Sequence, residues 1–137
     1  MSKFLETEFV STKEILKFPD HYVALAVMVD DDGIQANEDG KKIVPKGTVV
    51  GGKTKAVLDN LGEPVVDKFV AADGEEDASA EGAEGVLLND VDVTHGAKEG
   101  AMLIHGFVAI DKMPYGDNNA AVAAAAGLVL PMIKFIK

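Results

Sequence analysis

A chain of 137 residues is long enough for one domain with a single modest core. Twenty-three Asp and Glu oppose 13 Lys, with no Arg, for a net charge of −10; nucleic acid and anionic membranes therefore meet no basic stripe here. Cysteine is absent, which excludes disulfides and thiolate metal sites, and no apolar run approaches the roughly 18 residues that span a bilayer. Met1–Glu6 lacks the basic-then-apolar layout of a secretory signal, so synthesis in the cytoplasm is expected.

Residues 1–20 mix Phe4, Leu5, Phe9, Val10, Ile15, Leu16 and Phe18 with charges and show no sustained periodicity. Phe18-Pro19 holds the chain extended, because the residue before Pro avoids the α region. This segment reads equally as an N-terminal arm ordered against the domain or a partner and as an ordinary first strand or short helix. The arm assignment, 1–20, leaves 21–137 as a single β-rich domain. Tyr22–Val29 has the length and content of a buried strand and stops at Asp30-Asp31-Asp32-Gly33. After the turn Asn37–Gly40, Pro45 marks an edge or a bend before a strand at Thr48–Val50. Pro64–Ala71 reads as another strand. Asp73–Glu84, with six acids and no Lys, reads as a solvated loop.

Two apolar runs, Glu84–Thr94 and Ala101–Val108, flank the polar turn His95–Gly100 and predict a hairpin. Beyond the turn Met113–Asp117, a short helix over Ala120–Ala126 is expected, capped by Asp117 or Asn118 and ended by Gly127. Pro131 opens a last strand, Met132–Ile136, with a period of two. Many short strands and one late helix predict a mainly β fold, a small barrel or sandwich with one short C-terminal helix.

Gly47-Thr48-Val49-Val50-Gly51-Gly52-Lys53-Thr54 matches the phosphate-loop pattern letter for letter. That chemistry needs a strand before the first Gly, a wrapping loop, and a helix after the Lys. Pro45 cripples the preceding strand, and Thr48-Val49-Val50 is β-branched and stiff, better suited to a strand than to a loop. Only about two helical turns fit before Gly62. Coincidence is the favoured reading. A calcium loop fails in both registers: Gly33 at the sixth position puts Met28 at the first, and Gly40 there puts Lys46 at the twelfth. His21, His95 and His105 show no ligand spacing, and none of Ser2, Ser11 and Ser79 sits on a nucleophile elbow. Asp90 and Asp92 share a strand face but read as solvated strand-end carboxylates. No catalytic, cofactor or metal site is assigned.

Three blocks, Val10–Leu16, Gly40–Gly52 and Gly85–Val108, resemble segments of tailed-phage capsid decoration proteins, including head fiber proteins, with Leu130–Phe135 a looser match. Lys42-Ile43-Val44-Pro45-Lys46-Gly47-Thr48-Val49-Val50-Gly51-Gly52 and Gly85-Val86-Leu87-Leu88-Asn89-Asp90-Val91-Asp92 carry most of it. The resemblance implies a β-tulip-like domain related to the lambda-type decoration fold and no enzymatic activity. It also implies a place on the outer surface of the virion, where the major capsid protein is the partner and the head is reinforced. A trimer on the head follows from it, while the charge of −10 favours a monomer in free solution. Residues Phe4, Leu5, Phe9, Val10, Ile15 and Leu16 of the arm are the expected capsid contacts, the arm adding a strand to the shell. Two other functions fit the residues. One is a small nucleotide-binding protein with Lys53 on phosphate and Thr54 on Mg²⁺. The other is an acidic adaptor or secreted binding module with the same β fold.

Overall fold

A computed structural model describes residues 15–72 and 77–137. Among the described residues eight strands form: β1 (Val23–Val29), β2 (Ile43–Val44), β3 (Val49–Gly52), β4 (Pro64–Asp67), β5 (Gly85–Leu87), β6 (Val91–Asp92), β7 (Lys98–Ala109) and β8 (Ile133–Ile136). One helix, α1 (Asn119–Val129), precedes β8. Six strands share a sheet in the order β1-β4-β3-β5-β7-β8, and β2 pairs with β6 separately. The fold is thus mainly β with one short C-terminal helix.

The sheet rolls because β1 also pairs with β7, antiparallel from Val23↔His105 to Val29↔Lys98. It stops short of a closed barrel. On its other side β1 meets β4 at only two positions, Met28↔Pro64 and Val29↔Val65. The expected hairpin forms as β5 against β7, with Val86↔Leu103 and Leu87↔Met102. Its first run is broken, however: β6 leaves to pair with β2 at Asp92↔Ile43 and Val91↔Val44.

Neighbouring apolar residues on β3, β5 and β7 serve opposite faces. Val49, Val86 and Leu103 enter one buried cluster with Val122, Ala126 and Ile133, beneath α1. Val50, Leu87 and Met102 enter a second with Val27, Val29 and Val65, inside the roll. Both faces of this ladder are therefore buried, which explains its continuous apolar runs.

The N-terminal segment meets the domain from Ile15 onward. Ile15 is fully buried and Leu16 9% exposed, both in the cluster beneath α1. The Ile15 carbonyl accepts from Ala109 N–H at 2.8 Å, and Lys17 N–H donates to the Phe107 carbonyl at 2.9 Å. The Phe18 ring stands edge-on to that of Phe107, 5.2 Å between centroids. Residues 15–18 are thus held by the domain rather than free of it, because β7 runs past β1 and offers them a backbone edge. Whatever precedes Ile15 lies outside the described residues.

The helix is longer than expected and differently capped. It passes through Gly127 to Val129, since Val122, Ala123, Ala125 and Ala126 are buried, and packing holds what propensity alone would end. Pro131 stops it. Neither Asp117 nor Asn118 caps by side chain; Asn119 Oδ1 instead accepts from Tyr115 N–H at 3.0 Å. Within the acidic stretch, Ser79 is tied to Val70 by two backbone hydrogen bonds of 2.7 and 2.9 Å. No described helix is long and apolar enough to cross a membrane.

Glycines set the spacing of the ladder. A Cβ on Gly51 would overlap the Gly82 carbonyl oxygen, one on Gly52 that of Lys55, and one on Gly85 that of Leu103. Gly52→Ala is expected to destabilise by about 3 kcal/mol or more, because backbone must move. Gly127→Ala, in the helix with nothing within 4 Å, is expected to stabilise by about 0.5–1 kcal/mol. Urea denaturation of the two variants checks both signs.

Candidate functional site

Each letter of the phosphate-loop lookalike has a structural use. Gly47 takes φ +86° and packs beneath Ile15 and Pro114. Val49–Gly52 is the strand β3 rather than a wrapping loop. Gly51 and Gly52 provide the close approaches just described. Lys53 Nζ lies 2.8 Å from Asp30 Oδ2 and 3.1 Å from Asp32 Oδ2. The hydrogen bond from Lys53, and then its charge, hold the Asp30 carboxyl below its ordinary value. The two acids in turn raise the Lys53 ammonium. Residues 54–61 make turns, not a helix.

Amides of the turn after β3 already hold two of the chain's own carboxylates. Glu84 accepts from Gly52 N–H at 2.7 Å, Val57 N–H at 2.8 Å and Leu58 N–H at 3.0 Å. Glu63 Oε1 accepts from both the amide and the hydroxyl of Thr54 at 2.8 Å. Those bonds, the amide's first, keep the Glu63 carboxyl below its ordinary value. The expectation that Glu84 closes a solvated loop is thereby corrected: it clamps the turn that follows β3.

A second link, half-buried, joins β3 to the loop before α1. The Tyr115 hydroxyl accepts from Val49 N–H at 2.9 Å and donates to Asp67 Oδ1 at 3.2 Å. Burial, and then the Asp67 charge, raise the phenol well above its ordinary value, so it stays a protonated donor.

An apolar concavity lies elsewhere, at the mouth where β1 begins. An apolar cleft of about 650 Å³ opens between Val23, Leu58, Ile104, Val129, Pro131 and Met132. Val23 is 51% exposed, Leu58 52% and Met132 60%, and Leu128, beside Val129, is 88% exposed. Two polar side chains reach the lining: Glu84, engaged with the amides above, and His105. His105 Nε2 is 3.0 Å from His21 Nε2, so one imidazole donates to the other. His105 Nδ1 is buried with no partner among the described residues. A proton on His105 Nε2 avoids leaving a buried N–H orphaned, which makes His21 the acceptor. Among the described residues no group of three or more His, Asp or Glu is placed to hold a metal ion.

Of the expected contact residues, Phe4, Leu5, Phe9 and Val10 lie outside the described residues. Ile15 and Leu16 are brought together, but inside the domain's own core, so their contacts are internal. The cleft residues were not singled out in the sequence. A signal existed: Asn118–Ile133 contains no charge in a chain that is 26% charged. An apolar cleft of this kind is suited to binding a partner surface by burial.

The chain matches no protein-family model and no curated protein sequence.

Two outcomes are expected here. Asp30 and Glu63 sit below their ordinary values of 3.8 and 4.5, so the folded state binds fewer protons than the unfolded state in that range. Their stabilisation is complete above it and is lost as pH falls through it, between about pH 5 and pH 3. Glu63→Gln is expected to be less stable at neutral pH and to show a shallower acid slope, read as urea midpoint against pH. Calorimetric titration with millimolar ATP or GTP is expected to give neither heat nor a thermal shift.

Proposed function

We propose that this chain is a phage capsid decoration protein that binds the outer surface of the major capsid lattice and reinforces the head, by burial and not by catalysis. The apolar mouth is the observation that carries the reading. A −10 chain that leaves Val23, Leu58, Val129 and Met132 exposed around one cleft has an interface to cover. The blocks resembling decoration proteins support it further, since Gly40–Gly52 and Gly85–Val108 supply β2, β3, β5, β6 and most of β7, and β7 lines the cleft with Ile104 and His105. Three-fold positions between shell subunits suit a homotrimer, whose cyclic symmetry closes the assembly. Self-repulsion favours the monomer until the shell concentrates the copies. The reading requires no cofactor, nucleic acid or membrane.

Sedimentation of undecorated, expanded heads with the purified chain tests it. Co-sedimentation with little dependence on salt is expected, because apolar contact and not counterion release would drive binding. Failure to co-sediment with heads of its own phage overturns the proposal. Removing residues 1–14 is expected to weaken binding while leaving the melting temperature nearly unchanged. Extending the deletion through Leu16 is expected to cost about 2–5 kcal/mol per buried side chain removed. Unchanged binding without residues 1–14 would rule out an arm contact.

A further inference from the structure

The roll of the sheet is incomplete beside β1. Along Val23–Val27 the strand is hydrogen-bonded to β7 on one side, while its pairing with β4 begins only at Met28. Among the described residues no hydrogen bond from another element reaches the far side of Val23–Val27. Alternate amides and carbonyls there face outward, unpaired among the described residues. Leu25, Val27 and Val29 point into the core, and Ala24, Ala26 and Met28 point away from it.

Such an edge pairs readily with other chains, and proteins usually guard against this with Lys, Pro or a bulge. Tyr22–Val29 contains no charge and no Pro, and its one irregularity, between Val23 and Ala24, falls at its start. The cleft opens at the same end and shares Val23. Unpaired backbone beside an apolar cleft is the layout that receives an added strand: main-chain bonds hold the segment, and the cleft takes its inward side chains.

We infer that an extended segment of the shell subunit adds as a strand to the open edge of β1 and seats apolar side chains in the cleft. This rests on the decoration reading and specifies the contact. Charge restricts the occupant: against a chain of −10 carrying no Arg, the segment is neutral or basic, with apolar residues at alternate positions.

Hydrogen exchange of the full chain, free and bound to undecorated heads, tests the assignment. The outward amides of Val23–Val27 are expected to slow about tenfold or more on binding, and Val23→Lys and Ala26→Lys to weaken head binding about tenfold or more. Both positions are exposed, so the melting temperature is expected to hold. If the wild type co-sediments while these amides and both variants behave as before, the edge assignment is overturned and the decoration reading stands. If the wild type does not co-sediment, the decoration reading fails and the edge assignment falls with it. Two further results would overturn the shell assignment. Protection already present in the free chain and lost on dilution places a second copy on the edge. Protection lost on removing residues 1–14 places this chain's own N-terminal segment there.

Discussion

The ladder β3-β5-β7 is buried on both faces, and the rest of the molecule is arranged around that constraint. A strand with two buried faces needs a layer on each side. The layer beneath α1 includes Ile15 and Leu16, and the layer inside the roll includes Val27, Val29 and Val65. Removing either layer would expose the Val49, Val86 and Leu103 row or the Val50, Leu87 and Met102 row to water. The short helix is accordingly a lid on the sheet, stabilised by its buried Val and Ala side chains more than by its caps.

Close packing of this ladder also accounts for a motif that reads as phosphate chemistry. Gly51 and Gly52 are glycine because carbonyls of Gly82 and Lys55 lie where side chains would begin. Amides of the following turn need acceptors, and Glu84 and Glu63 provide them from within the chain. The motif and an anion-binding turn are both present, but the anions are internal. Letters that match a catalytic pattern therefore carry no chemistry until the backbone that displays them is known.

Rolling leaves one unfinished seam. β1 is committed to β7 along its length and to β4 only at its end, and the apolar cleft sits at the open end of that seam. Charge and apolar surface are largely separated: charges crowd the turns Asp30–Asp32 and Asn37–Gly40, while the mouth is formed mainly by Val23, Leu58, Val129 and Met132, with Glu84 its one acidic residue.

Local pattern alone determined the class of the fold and the positions of β1, β3, β4, β8 and the central hairpin, because strand periodicity, turn residues and Pro act over a few residues. It also determined the acidity and the lack of Arg that argue against nucleic acid. Tertiary structure decided what depends on distant partners. Ile15 and Leu16 became core because β7, some 90 residues later, extends past β1 to meet them. Gly127 stayed helical because the cluster beneath it holds the preceding turn. Glu84 became a clamp through amides 26–32 residues away, and His21 met His105 across 84 residues. The cleft has no signature of its own in the sequence, since its lining comes from five separate segments that only the rolled sheet brings to one mouth.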